Sequence, residues 1–264
     1  MANRPAAGGG VWVDVGPQRF ARWCEGFARR HGGALSRPPR LVADDAACAG
    51  QALELAAADG STATCCVPFP PLAVAADTGL IDALIAHTSA VRIVGVVLVR
   101  RGGFAVGRFE GDRLQEWKVG ARHVQGRTKA GGWSQQRFAR RREGQAREAY
   151  AAAADNAARI LLPHVGRLDA LVLGGDTGAI SALRADQRLK ALWSKETAPF
   201  LNVGDPKMSD LRTAPEAFRA IRIRLVEAAQ PAQPPRSSSS SAESSSADGG
   251  RPPGAVGAPW QDPS

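Results

Sequence analysis

Two apolar runs closed by glycine constrain this chain most: residues 93–99, turned by Arg101-Gly102-Gly103, and residues 168–173, ending at Gly174-Gly175. Neither keeps the strict alternation of a half-buried strand, so both read as buried strands of one core. After the first run, residues 104–109 and 114–119 are strand-like and are joined by Glu110-Gly111-Asp112, which predicts a three-stranded meander. A polar, glycine-containing loop then occupies 120–134. A long helix follows from about 135 to 162, where Pro163 stops it. Strands first and helices afterwards, with a parallel βαβ return to the second run, predict a mixed α/β layer fold. A helix at 180–193, a short strand at 200–203 and a last helix at 215–227 complete that reading. The alternation of Ile221, Ile223 and Leu225 equally permits a final strand.

Ahead of this region, residues 11–15 alternate as a strand, and Pro17 can open a helix. Phe20, Trp23, Cys24 and Phe27 share one face of that helix, and Gly32-Gly33 ends it. Residues 51–57 and 62–67 read as a hairpin about Asp59-Gly60, and 81–87 as a helix. The expected organisation is a small α+β front module at 11–88 and a second domain at 92–228. Residues 1–10 and the Pro/Ser-rich tail 229–264 have too little apolar area to offset ordering entropy, so both are expected to be disordered. Cys24, Cys48, Cys65 and Cys66 have no CxxC spacing and no zinc-like histidine intervals, and are expected to be buried reduced thiols. Adjacent Cys65 and Cys66 would point to opposite faces of a strand. No apolar stretch approaches the roughly 20 residues of a membrane span, and no secretory signal is apparent. A cytoplasmic protein with no membrane partner is expected.

The net charge of +9 is concentrated. Between Ala121 and Arg147 stand Arg122, Arg127, Lys129, Arg137, Arg140, Arg141, Arg142 and Arg147 against the single acid Glu143, a net +7. On a helix, Arg137, Arg140, Arg141 and Gln145 form one basic stripe. Phe138, Ala149, Tyr150, Ala153, Ala157, Ile160 and Leu161 form a largely opposite apolar face. Like charges at these spacings repel unless a polyanion neutralises them. The region contains no helix-turn-helix signal, zinc finger or RNA-recognition-motif aromatic pair. It points to docking on structured RNA through backbone contacts.

The segment from Thr128 through Gly131-Gly132-Trp133-Ser134-Gln135-Gln136 to Arg137-Phe138-Ala139-Arg140 resembles the catalytic loop of eukaryotic and archaeal class-one release factors. There, a basic stretch leads to Gly-Gly-Gln, and Arg-Phe-Ala-Arg opens a long helix. The resemblance spans about 92–227. One position departs: Trp133, not glutamine, follows Gly132. The loop is therefore most similar to the Vms-type release-factor-like proteins of ribosome quality control, including their actinobacterial branch. This resemblance implies a release-factor catalytic-domain fold and peptidyl-tRNA hydrolase activity. It places the family glutamine's role on Gln135, with Gln136 as the fallback. It also implies the large ribosomal subunit, peptidyl-tRNA and rRNA as partners, with the protein monomeric off the ribosome.

The residues agree with such chemistry. A peptidyl-tRNA ester needs a positioned water and a stabilised oxyanion. Glutamine cannot act as a conventional general base, but its amide can orient water. A backbone N–H in the loop can serve the oxyanion, and Gly131 and Gly132 permit close approach to RNA. No Asp, Glu or His lies between Gly126 and Arg142, which suits a residue completing a site made largely of RNA. Trp133 has two uses open to it, stacking on a base or anchoring the loop. Arg122, Arg127, Lys129, Arg137, Arg140 and Arg141 are the expected phosphate contacts. No metal or other cofactor is called for. Asp176, after Gly174-Gly175, is expected to cap a turn or helix. Cleavage near the tRNA 3′ CCA end, and a non-catalytic RNA-binding role, are the competing readings. The front module matches no stop-codon-reading domain, which favours rescue over decoding.

Overall fold

Pro17 presets the φ angle that opens the first helix of the front layer. This computed structural model describes residues 4–48, 50–121 and 133–228, with backbone alone at 121, 133–143 and 145. The expectations for residues 1–3 and 229–264 lie outside the described residues. In chain order the front layer has β1 (Arg4–Pro5), β2 (Val11–Val15), α1 (Pro17–Arg30), β3 (Arg40–Asp45), β4 (Gly50–Ala56), β5 (Thr62–Cys66) and α2 (Leu80–Ser89). Val13 and Val15 point inward from β2, while Phe20, Cys24 and Phe27 point inward from α1. Trp23 stacks between Phe20 and Phe27, with centroids 6.4 and 5.6 Å away. Each fully buried phenylalanine here contributes about 1.5–3 kcal/mol relative to exposure. His31 ends α1 with Nδ1 3.0 Å from the Asp59 carboxylate, which also accepts the Ser61 amide at 2.8 Å. Those hydrogen bonds hold Asp59 below the ordinary carboxylate range, the Ser61 amide foremost.

Three front-layer expectations change. Residues 4–10, read as loose, include β1, which pairs with β2. Strand β3 was not anticipated; its weakly patterned residues are held by pairing with β4. The reduced-thiol reading fails for two cysteines, because Cys48 and Cys66 form a disulfide with Cα atoms 5.1 Å apart. The Asp45 carboxylate accepts the Ala47 and Cys48 amides, each at 2.9 Å, and so shapes the turn that carries Cys48 to β5. Sequence spacing does not reveal that meeting. The opposite-face reading holds: Cys65 is wholly buried, and Cys66 turns away from that core.

The remaining elements are β6 (Ile93–Arg100), β7 (Gly103–Glu110), β8 (Arg113–Ala121), α3 (Trp133–Leu161), β9 (Ala170–Gly175), α4 (Thr177–Arg184), α5 (Lys190–Trp193), β10 (Glu196–Leu201), α6 (Met208–Phe218) and β11 (Ile221–Val226). β6, β7 and β8 form the expected meander, and β9 returns parallel to β6. The five-stranded sheet runs β10-β9-β6-β7-β8. One face packs against α3, α4 and α5 through Val97, Val99, Ala157, Ile160, Leu183 and Leu192. The other packs against α6 through Leu98, Phe109, Leu211 and Phe218. The molecule is a mixed α/β fold.

The segment read as one helix over 180–193 is instead α4, a short 3-10 turn and α5. Asp186 accepts the Arg188 amide at 3.0 Å, which starts the turn and interrupts the helix. The end of the chain changes more. Residues 215–227 are not one helix: α6 stops at Phe218, and β11 follows, as the alternation of Ile221 and Ile223 permits. β11 does not join the five-stranded sheet. It inserts between β2 and β5, giving a six-stranded antiparallel sheet β1-β2-β11-β5-β4-β3. Residues 221–226, placed by sequence with the second domain, therefore complete the front sheet.

Candidate functional site

The loop of residues 122–132 joins the end of β8 to the start of α3. Gly131, Gly132, Arg122, Arg127 and Lys129 lie in it, outside the described residues. Gln135, Gln136, Arg137, Arg140 and Arg141 are on the helical backbone that begins at Trp133. Their side chains, and that of Trp133, lie outside the description. The helix thus starts two residues before the expected position near 135, and Gln135 is its third residue. It belongs to the first turn of α3 rather than to an extended loop.

The described residues on either side fix where the chain leaves β8 and where it enters α3. β6, β8, β9 and β10 all point the same way, so their carboxyl ends share one edge of the sheet. Ala121 is opposite Gly103 at that edge, beside the β6–β7 turn. In open α/β sheets, ligand sites gather outside the carboxyl ends of parallel strands. The start of α4 lies at the same edge, where Asp176 accepts the Ala179 amide at 3.1 Å and donates its own amide to Val99 at 2.9 Å. The cap role read for Asp176 is the one it has. Gly175, with φ of 100°, makes the turn into it, and a Cβ there would overlap the Val99 carbonyl.

Gly120, the last described side-chain position before the loop, has a similar constraint: the Phe104 ring lies directly over it. Phe104 is buried against α3's core, so the strand end is fixed by aromatic packing. After the loop, Ala146, Ala149, Ala153, Ala154, Ala157, Ile160 and Leu161 are buried, the apolar face expected from their spacing. Small alanines bring α3 close to the sheet, and Leu161 methyls come within 3.2 Å of the Cβ position at Gly95. With 29 residues α3 is about 43 Å long, against about 27 Å for the eight-residue strands β6 and β7. The helix is longer than the sheet it covers, and its described packing begins at Ala146.

Ion pairs tie the C-terminal half of α3 to its neighbours. Arg159 on α3 donates to Glu116 on β8 at 2.9 Å. Arg188 donates to Asp155 on α3 at 2.9 Å and to Asp186 at 2.6 Å, and these hydrogen bonds raise its already high basicity. Sequence reading did not single out Gly120, which sits just before the loop, or the Arg159–Glu116 pair, which joins the C-terminal end of α3 to β8. A glycine before the loop and an acid on an edge strand were their only local signals. Among the described residues no group of three or more His, Cys, Asp or Glu is placed to hold a metal ion. No helix among them is long and apolar enough to cross a membrane. A separate cleft of about 1260 Å³ opens by β10 and α6. It carries both signs of charge, Arg219 against Glu196 and Asp210 from one side, with Arg4, Asp14 and Arg222 contributed by the front sheet.

No functionally curated protein matches the chain. Among solved structures, a crystal structure of the archaeal translation termination factor aRF1 is similar at 16% identity and a TM-score of 0.36, covering 60% of this chain and 46% of that one. A structure described as an archaeal protein is similar at 15% identity and a TM-score of 0.34, covering 61% and 48%. The chain thus spans about half the length of these two structures. The model of the Actinobacteria/chloroflexi VLRF1 release factor family matches residues 92–224, from the start of the meander to the middle of β11. Half of the chain is matched, and the chain belongs to the Actinobacteria/chloroflexi VLRF1 release factor family.

Proposed function

We propose that this protein hydrolyses the peptidyl-tRNA ester on stalled ribosomes or large subunits, presenting Gly131, Gly132 and Gln135 to the peptidyl transferase centre. What supports this reading is the release-factor family match together with the sequence Gly131-Gly132 in the segment between β8, which ends at the carboxyl edge of the sheet, and α3. In this mechanism the Gln135 amide orients the attacking water, and a loop backbone N–H stabilises the oxyanion. Arg122, Arg127, Lys129, Arg137, Arg140 and Arg141 bind rRNA and tRNA phosphates, and Trp133 adds a contact to RNA or to its own domain. Because the loop supplies no acid or base, the RNA site provides part of the catalysis. The protein acts in the cytoplasm and is monomeric off the ribosome.

The test is to incubate stalled ribosome–nascent-chain complexes with the purified chain and resolve peptide and tRNA products. Released peptide with an intact CCA end is expected. A shortened tRNA would replace ester hydrolysis by endonucleolytic cleavage, and no product at all would leave a non-catalytic binding role. Full release by a Gln135→Ala/Gln136→Ala variant would overturn the glutamine assignment. A requirement for a stop codon would refute rescue.

A further inference from the structure

We propose that the outer face of the six-stranded sheet is a second contact for RNA phosphates, separate from the loop and basic helix. The proposal rests on reading the chain as a factor that acts on ribosomes. Strand register places Arg4, Trp12, Arg224, Thr64, Glu54 and Arg40 opposite one another in a single row across all six strands. Opposed residues of an antiparallel sheet share a face, and five strand spacings make the row about 24 Å long. The other face, with Val13, Val15, Leu53, Cys65 and Ile223, is the one buried with α1 and α2. Helices thus cover one side of this sheet and leave the arginine row on the other.

The charges on this face are unequal in their partners. Asp14 is paired with Arg4 at 2.9 Å, and Glu54 with Arg40 at 2.6 Å and Arg37 at 3.7 Å. Among the described residues no carboxylate pairs with Arg222 or Arg224. Arg224 donates to the Gly8 and Gly9 carbonyls at 2.7 and 3.2 Å, which pins its guanidinium. Arg222, two residues along β11, lies over the Trp12 ring with its guanidinium carbon 4.2 Å from the centroid. Its Nε is buried without a hydrogen-bond partner. That packing fixes the Arg222 guanidinium in place while no carboxylate among the described residues neutralises its charge.

The shape of the array favours a polyanion over one small anion. Guanidinium forks match phosphate geometry; Arg222 and Arg224 on β11 are the centre of the contact, and Arg4 and Arg40, each shared with a carboxylate, flank it at the two ends of the row. Trp12 is 9% exposed, and Arg222 already occupies its ring, so no aromatic face is open for a base. The contact is therefore to backbone and carries little sequence preference.

The full chain should be titrated against a fluorescein-labelled single-stranded RNA of about 24 nucleotides, and against purified large ribosomal subunits, from about 50 to 300 mM KCl. R222Q/R224Q should weaken RNA binding about tenfold and reduce the log–log salt slope by about 1.4. R4Q/R40Q, at exposed positions that cannot damage the core, should reduce both further when combined with it. A quadruple variant with wild-type circular dichroism, RNA affinity and slope would overturn the proposal. Weakened subunit binding with unchanged RNA affinity would assign this face to an acidic ribosomal protein and overturn the RNA assignment. Gln135→Ala/Gln136→Ala should bind RNA normally. A wild-type chain that binds subunits through this row yet releases no peptide would refute the hydrolysis reading and leave this face standing.

Discussion

Arg159 and Glu116 tie the helix that follows the 122–132 loop to the strand that precedes it, guanidinium to carboxylate at 2.9 Å. Both side chains are partly exposed, at 55% and 37%, so solvent screens the pair. A double-mutant cycle with Arg159→Ala and Glu116→Ala should give a coupling of about 0.2–1 kcal/mol. Raising salt in the same denaturation experiment should shrink it; a coupling unchanged in high salt would contradict a screened ion pair.

Gly120→Ala should destabilise the chain by about 1–3 kcal/mol, because its Cβ would force the Phe104 ring out of place. Phe104→Leu in the same chain should recover part of that loss. Urea titration of the three variants checks this, and equal losses with and without the second change would exclude the ring as the cause.

His87 makes stability depend on pH near neutrality. Desolvation and the nearby Arg92 charge hold its imidazole below the ordinary value of 6.5. The hydrogen bonds from Nε2–H to the Pro68 and Phe69 carbonyls, at 2.9 and 3.1 Å, oppose that lowering without reversing it. The unfolded chain therefore binds the proton more readily: this stability is fully present above 6.5 and is lost as pH falls through the window below it. Asp59 and Asp186 are held below 3.8, so their loss comes at lower pH. Thermal melts at about pH 7.5 and 5 should differ less for His87→Gln than for the native chain. An equal drop would place the dependence elsewhere.

Cysteine reactivity should fall into two classes. Burial pushes the Cys24 thiol up to about 12 and Cys65 well above the ordinary range, so neither should alkylate in the native state at pH 8. Reduction should expose Cys48 and Cys66 to iodoacetamide, read as two added masses. With a sequence separation of 18, losing the cross-link should cost about 3 kcal/mol. Native labelling of Cys24 or Cys65 without reduction would contradict their burial.

The basic stripe at the start of α3 should dominate the salt response of binding to large subunits. R137Q/R140Q/R141Q should make the log–log slope shallower by about 2–3 while leaving thermal stability within about 0.5 kcal/mol. An unchanged slope would remove these three arginines from the phosphate contact.

Much of the fold was legible because it rests on local pattern. Residues 93–99 and 168–173 became parallel neighbours β6 and β9, and the glycine-bearing turns gave the meander. The spacing of Ala149, Ala153, Ala157 and Ile160 identified the buried face of α3. In the site, the Gly-Gly loop and Arg-Phe-Ala-Arg segment pointed to the family that the match over 92–224 shows. Less local features escaped. Whether 221–226 belongs to a helix or a strand depends on its partners, and β2 and β5 lie more than 150 residues away in sequence. The Cys48–Cys66 bond depends on where a turn held by Asp45 delivers one sulfur.

By itself, then, the sequence determined the meander, the long basic helix, the loop between them and the family. Period-2 and period-3.6 burial and short turns are properties of neighbouring residues. Only tertiary structure decided that β11 crosses into the front sheet and aligns Arg224 between Trp12 and Thr64. Strand pairing is a long-range choice: backbone hydrogen bonds accept any sequence, and the buried partners of Ile221 and Ile223 select the register. That register is what gathers arginines from three strands, β1, β3 and β11, onto one face.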